Sequence, residues 1–224
     1  MVDGILPAAG LATRMRGLPK FLLPCDDQYT TLIEKHVTNL LNTCETVWIP
    51  TRPEQTILLE TLGLSSDRVV VVPMTTGTMT QTVLRLANIS GAPRFVLVMP
   101  DTYFFGEQPY EYLATSKNEL NLACWDIRSE QRGKLGQVLI EGGSTGAILD
   151  SKDKDPDCVF PHSWGAMAFD RSILDFAEAT MPHTGYLIKP ALLAEKSVEG
   201  SVMSGRYFDC GTPSEYLQML DLTT

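Results

Sequence analysis

The sequence lacks a basic run of any length. Its 18 Lys and Arg are scattered among 27 Asp and Glu, for a formal net charge of −9, whereas a nucleic-acid backbone needs clustered cations. A nucleic-acid partner is therefore not expected. No apolar run approaches the ~20 residues of a membrane span, and no basic segment precedes an apolar run at the N-terminus, MVDGILPAAG. Neither a membrane partner nor a signal peptide is expected. The five cysteines (Cys25, Cys44, Cys124, Cys158 and Cys210) form no C-x-x-C pair, so reduced thiols in a cytoplasmic protein are expected. The three histidines, His36, His162 and His183, have no metal-ligand spacing. The P-loop G-x-x-x-x-G-K-[ST] and the dinucleotide G-x-G-x-x-G are missing too, as is any internal repeat or low-complexity tract.

What is present begins at the N-terminus. A chain of 224 residues, 44% hydrophobic, suits one large α/β domain. A short apolar lead, Gly4-Ile5-Leu6, opens the stretch Leu6 to Pro24, LPAAGLATRMRGLPKFLLP. Ala8, Ala9, Gly10, Leu11 and Ala12 are small or apolar, and a backbone can touch a polyphosphate only where no large side chain intervenes. Consecutive amides in such a turn make an anion site, and Arg14 and Lys20 would supply the full charges. A plain strand-to-helix connection with two solvated cations is the competing reading.

Downstream, Leu32, Ile33, His36, Val37, Leu40 and Leu41 recur at helical steps, predicting an amphipathic helix with His36 in a hydrogen-bonded packing role. Thr46–Ile49 reads as a strand stopped by Pro50 and Pro53, Glu54–Leu62 as a helix, and Arg68–Pro73 as a β-branched strand. Met74–Thr78 is a turn leading into a helix over Met79–Ile89, with Thr76 or Thr78 as its N-cap. Phe95–Met99 is a strand ending at Pro100-Asp101, and in parallel α/β sheets ligands sit beyond the carboxyl ends of strands. Asp101 either meets a ligand there or caps a turn. A helix follows over Pro109–Ser116, then strands at Leu120–Asp126, Val138–Glu141 and around Gly146–Asp150, the last two joined as a hairpin through Gly142-Gly143. Asp150–Asp157 reads as a charged, exposed loop, Ser163–Asp170 as a strand, and Arg171–Met181 and Leu187–Glu195 as helical. The pattern predicts an α/β, Rossmann-like fold with a mostly parallel central sheet, helices on both faces and an antiparallel second part.

Several of these segments together resemble the sugar-phosphate nucleotidyltransferases. Ala9-Gly10, Thr13-Arg14-Met15 and Pro19-Lys20 match that family's AAG-x-G-T-R-M and P-K, with Ala12 at the usual second glycine. MPDTYFF resembles its G-D-x-x-F, with Pro100 for glycine. Ser163 to Asp170 resembles A-G-x-Y-x-F-D, and Phe208-Asp209-Cys210-Gly211-Thr212-Pro213 resembles the closing W-x-D-x-G-T-P.

The resemblance implies a single nucleotidyltransferase domain over residues 1–224, with a nucleotide-binding half to about residue 116 and a sugar-phosphate-binding half beyond. It implies a nucleoside triphosphate and a sugar 1-phosphate as partners, Mg²⁺ as cofactor on Asp101 and Asp209, and a monomer or small homo-oligomer. Arg14, Lys20, Asp101 and Asp209 take the catalytic roles. Gly77, Thr78 and Gln81 would lie against the nucleobase, and Lys152, Trp164 and Gly165 against the sugar phosphate, with Lys154 an alternative to Lys152. Three other readings stand beside this one. The short Arg14-to-Lys20 spacing suits a cytidylyltransferase for a non-sugar alcohol phosphate. A glycosyltransferase on the same topology lacks its D-x-D, because Thr102-Tyr103 follows Asp101. A non-catalytic relative would explain Ala12, Pro100 and the altered 150–157 segment.

Overall fold

A computed structural model describes residues 1–10 and 17–223. Leu11 and Arg14, both expected at the nucleotide, lie outside the described residues. The strands are β1 (Asp3–Ile5), β2 (Val47–Thr51), β3 (Val69–Pro73), β4 (Arg94–Val98), β5 (Thr102–Gly106), β6 (Leu120–Asp126), β7 (Gly136–Ile140), β8 (Thr145–Asp153), β9 (His162–Asp170), β10 (Val198–Val202) and β11 (Gly205–Asp209). The helices are α1 (Leu32–Leu41), α2 (Thr56–Thr61), α3 (Met79–Ser90), α4 (Tyr110–Thr115), α5 (Ile188–Leu193) and α6 (Pro213–Thr223). Nine strands form one sheet in the order β3-β2-β1-β4-β9-β6-β10-β8-β7, and β5 and β11 form a separate antiparallel pair.

The first four positions of the sheet are parallel, and β9 runs antiparallel to both β4 and β6. Beyond β9 the strands are mixed, and β7 pairs back onto its N-terminal end through Gln137 and Val138. The α/β expectation therefore holds, with parallel order confined to the N-terminal side and to the β6–β10 pair.

Alternation along the strands assigns the two faces. Phe95 and Leu97 of β4 join a core with α3 and α5, whereas Val96 and Val98 join one with α1, α2 and α4. Helix α1 begins with a reciprocal cap: Thr31 Oγ1 accepts from the Glu34 amide, and the Glu34 carboxylate accepts from the Thr31 amide. That pairing meets two of the orphan donors of a helix start and fixes its entry.

Several boundaries depart from the sequence reading. β2 runs through Pro50 to Thr51, because Pro50 keeps its carbonyl in the ladder by accepting from the Ala8 amide at 2.9 Å. The polar residues 150–153 are not a loop: they extend β8, with Asp150 opposite Leu139 and Asp153 opposite Gly136. The helix expected over Arg171–Met181 is a 3₁₀ segment, Arg171–Phe176, followed by irregular chain. The chain is drawn elsewhere, since the Ala179 carbonyl accepts from Thr78 Oγ1 at 3.0 Å and the Pro182 carbonyl from the Met79 amide at 3.1 Å. Both bonds complete the start of α3. β5 and β10 are strands that no run of alternation marked.

His36 is a packing residue, as its place on the apolar stripe implied. Its Nε2 lies 2.8 Å from the Thr102 carbonyl, which can only accept, so Nε2 carries the proton and Nδ1 accepts from the Tyr110 hydroxyl at 2.7 Å. Burial pushes its pKa from 6.5 down to about 4. The folded state therefore resists protonation more than the unfolded chain, and stability that is full above about pH 6.5 is lost as pH falls toward about 4. The His36→Gln variant, which does not titrate, is expected to show a smaller drop in Tm between neutral and acid pH than the natural chain. Equal drops would remove His36 from the acid response.

Candidate active site

Asp101 and Asp209 are 108 positions apart in sequence and adjacent in space, and the reason is a strand register. β5 starts directly after Asp101, and its first residue, Thr102, pairs with Asp209 at the end of β11. Thr102 Oγ1 donates to the Met99 carbonyl at 2.7 Å, tightening the turn that carries Asp101. From the other side, Pro19 leads into a 3₁₀ turn, Lys20–Leu22, whose Phe21 is buried. That places Lys20 Nζ 3.4 Å from Asp101 Oδ2.

The three groups meet at Gly211. A Cβ built there would lie 2.7 Å from Asp209 Oδ1, 2.9 Å from Lys20 Nζ and 3.5 Å from Asp101 Oδ2. The Gly211 amide donates to Asp209 Oδ1 at 3.0 Å, fixing that carboxylate. β11 is itself clamped. Arg128 Nη1 and Gln131 Nε2 donate to the Tyr207 carbonyl at 3.0 and 3.2 Å, Arg128 Nη2 pairs with Glu215 at 2.6 Å, and the Arg128 guanidinium lies 4.9 Å from the Phe208 ring centroid. Asp209 thus rests on a hydrogen-bonded strand, and Asp101 on the turn that leads into its partner strand.

Burial and the neighbouring Asp209 raise the pKa of Asp101, with Lys20 opposing. The raised pKa means that the Lys20 ammonium does not fully compensate the charge gathered here. A divalent cation would. Asp101 and Asp209 offer oxygen donors alone, and two carboxylates completed by phosphate oxygens and water suit Mg²⁺. The described residues contain no group of three or more His, Cys, Asp or Glu able to hold a metal by themselves. Such an ion would accordingly share its shell with substrate.

A cleft runs past this point along the carboxyl ends of the parallel strands. A cavity of about 250 Å³ is lined by Ala9, Gly10, Gly77 and Thr78, together with Arg52, Met79 and Pro182. Thr78 caps α3 by accepting from the Gln81 amide at 3.1 Å, and Gln81 Oε1 folds back to accept from the Gly77 amide at 2.9 Å. Of the residues expected at the nucleobase, Gly77 and Thr78 line this cavity, whereas Gln81 does not and shapes the turn with its carbonyl. Ala8 and Gly10 also line a smaller cavity of about 100 Å³ that holds Lys20 and Asp101.

On the far side, a cavity of about 170 Å³ contains Trp164 and Gly165 with Lys134, Asp153, Lys154, His183, Tyr207 and Asp209. It opens into a space of about 330 Å³ that shares Lys134, Lys154 and Asp209. Gly165 has no room for a side chain, since a Cβ would come 2.5 Å from the Tyr207 ring. Lys152 does not line this cavity. It is exposed on β8 opposite Gln137, while Lys154, just past the strand at φ 50°, turns into the cleft. Lys152 and Lys154, two residues apart, would share a face in a regular strand; the positive φ of Lys154, past the end of β8, separates them, and it was hidden while 150–157 was read as a loop. Asp153, His183, Lys134 and Arg52 were missed as well. No motif marks them, and a cation without a carboxylate partner is visible only in three dimensions: among the described residues, neither Lys134 nor Lys154 makes an ion pair, and Lys20 is the only lysine of the cleft that does.

Residues 4–185 match the MobA-like NTP transferase domain. The fold resembles a UTP-bound UGPase from Acinetobacter baumannii, with a TM-score of 0.79, 19% identity, and 99% of this chain and 93% of that chain covered. It resembles a UDP-glucose pyrophosphorylase complexed with UDP-glucose, at TM-score 0.82, 17% identity, and 99% and 98% covered. A chain described as a glucose-1-phosphate thymidylyltransferase from Bacillus anthracis gives TM-score 0.82 and 18% identity over 100% of this chain and 95% of that one. No curated protein matches the chain in sequence. The family match ends before β11, so Asp209 is placed at the site by the β5–β11 register rather than by that match.

Two consequences are measurable. Gly211→Ala is expected to displace Lys20 and Asp209 and to lower turnover by ~10-fold or more with little change in Tm; unaltered kinetics would show that the contact at Gly211 is dispensable. Because burial and Asp209 raise the pKa of Asp101, its ionisation costs more in the fold than in the unfolded chain. Asp101→Asn is expected to raise Tm, without ligand, by on the order of a few degrees, and a fall in Tm would contradict that balance.

Proposed function

The chain belongs to the MobA-like NTP transferase domain family and is a nucleotidyltransferase; from that premise we propose that it joins a nucleoside triphosphate to a sugar 1-phosphate, releasing pyrophosphate and a nucleotide sugar. The observation that carries this reading is the meeting of Lys20, Asp101 and Asp209 between two cavities, one floored by the small residues Ala9, Gly10 and Gly77 and the other walled by Trp164. The matched structures with UTP and UDP-glucose support the same pair of substrates.

In the proposed reaction an oxygen of the sugar phosphate attacks the α-phosphorus in line, that P–O bond forms, and the bond to the pyrophosphate oxygen breaks. The attacking phosphate is already ionised, so no general base is required, and the protein's task is to position two anions and neutralise charge. Ala8 to Gly10 would let the triphosphate approach the backbone, and Lys20 would meet charge on the phosphoryl oxygens. Arg14 is proposed for the leaving pyrophosphate. Lys154 and Lys134, which make no ion pair among the described residues, would receive the acceptor phosphate, and Trp164 would offer an aromatic face to the C–H face of a sugar ring. Mg²⁺ held by Asp101 and Asp209 would supply electrostatic stabilisation of the phosphates when bound.

A pyrophosphate-release assay over a panel of nucleoside triphosphates and of sugar, alditol and alcohol phosphates, with and without Mg²⁺, tests this reading. Turnover is expected with a sugar 1-phosphate, and Lys20→Ala is expected to slow it by ~100-fold or more. Turnover with an alcohol phosphate alone would move the assignment to the cytidylyltransferase type. Activity that needs a preformed sugar nucleotide would make the chain a glycosyltransferase.

A further inference from the structure

α6 begins two residues after Gly211, and its first turn reaches back to the segment that carries Lys20. The Tyr216 amide donates to the Thr212 carbonyl at 3.1 Å, and the Tyr216 hydroxyl donates to the Pro24 carbonyl at 2.9 Å. Pro24 lies four residues after Lys20, and the chain between them is bonded throughout. The Leu23 amide donates to the Lys20 carbonyl at 3.0 Å, closing the 3₁₀ turn, and the Leu23 carbonyl accepts from the Leu32 amide at 3.0 Å. Proline has no N–H, so its carbonyl is the one backbone group by which Pro24 can be hydrogen-bonded. Tyr216 supplies that bond. Its ring packs, together with Leu23, against a small core that includes Cys25, Tyr103, Phe208 and Cys210 and is separate from the two cores on the faces of the sheet. These residues are chain neighbours of the site: Leu23 and Cys25 follow Lys20, Tyr103 follows Asp101, and Phe208 and Cys210 flank Asp209.

We propose that Tyr216 is a positioning residue for Lys20: by holding the Pro24 carbonyl, its hydroxyl sets where the ammonium meets Asp101 and the phosphates. The role of Lys20 rests on the nucleotidyltransferase reading above. Lys20 Nζ lies 3.4 Å from Asp101 Oδ2 and so near Gly211 that a Cβ there would be 2.9 Å away, which leaves the ammonium little room to shift and still meet Asp101. A tyrosine suits this task, since the packed ring aims a single hydroxyl at a fixed point. Removing the hydroxyl alone keeps the packing and frees the segment. The cost should therefore appear where Lys20 acts, because a small misplacement of a charged group is expensive in such chemistry.

Tyr216→Phe is expected to lower kcat by ~10-fold and to weaken the binding of inorganic pyrophosphate, titrated calorimetrically with Mg²⁺, by ~5-fold or more. The KM for the sugar 1-phosphate is expected to change by less than ~3-fold, and Tm by no more than a few degrees, as the loss of one part-buried hydrogen bond implies. In the Lys20→Ala background the same change is expected to cost less than ~2-fold on either readout, because a residue that acts through Lys20 then has nothing left to position. A role in the fold alone would affect both substrates alike and add its cost to that of Lys20→Ala. That pattern, or unaltered kcat and pyrophosphate affinity in Tyr216→Phe, would overturn the inference while leaving the nucleotidyltransferase reading intact. Should the natural chain bind pyrophosphate but turn over no sugar phosphate, the proposed acceptor fails, and loss of that affinity in Tyr216→Phe without further loss in the double variant still supports the inference. A natural chain with neither binding nor turnover overturns both.

Discussion

The pairing of Thr102 with Asp209 is the contact on which the site depends. A strand register is all-or-none, because a slip of one residue turns every side chain to the opposite face. A slip here would carry Asp209 away from Asp101 and from the ammonium of Lys20. The register is held by more than its own ladder: Phe104 stacks on Trp125 with centroids 5.0 Å apart, Tyr207 packs on the same indole at 5.4 Å, and Phe208 is buried with Tyr103, Cys210 and Met219. Aromatic residues on both strands thus fix where two carboxylates come together. Arg128 and Gln131, reaching from the turn before β7, lock the carbonyl of Tyr207 from outside that stack.

The charge pattern follows from the same economy. A protein of net charge −9 would repel a polyanion unless its cations were placed where the ligand lies. Lys20, Arg52, Lys134 and Lys154 all line the cleft, and at close range in a low-dielectric cleft a few such charges outweigh a distant negative field that salt screens. Lys20 is partly spoken for by Asp101, whereas Lys134 and Lys154 make no ion pair among the described residues.

The N-terminal half was legible because its physics is local. β3 is a run of valines and β4 carries four consecutive buried apolar residues, α1 carries its own cap and stripe, and Thr78 caps α3 as its side-chain type suggests. Two strand ends that carry short motifs, Pro100-Asp101 and Asp209-x-Gly211, could be read as site elements through the resemblance to the nucleotidyltransferases, since on their residues alone each is equally a turn or a cap. The second half resisted for the opposite reason. β10 pairs with the distant β6 and β8, and polar residues such as Ser151 and Asp153 of β8 sit in a ladder on the strength of the hairpin partner β7 rather than their own propensity. Residues 171–182 have helical spacing at Ile173, Leu174, Phe176 and Ala177, yet tertiary bonds to α3 take the chain away after Phe176.

That last departure bears on function as well as on fold. In place of a helical turn, the Ala179 carbonyl takes up the Thr78 hydroxyl and the Pro182 carbonyl the Met79 amide at the start of α3. As built, the Ala179 and Pro182 carbonyls satisfy that helix start, and the next residue, His183, is delivered to Trp164 and Asp153. One short irregular segment therefore joins the turn at the first cavity to the wall of the second. The segment is hydrogen-bonded at both ends, to the start of α3 through Ala179 and Pro182 and to Asp153 through His183. The irregularity that defeated a periodic reading of the sequence is what gives the two cavities a common frame.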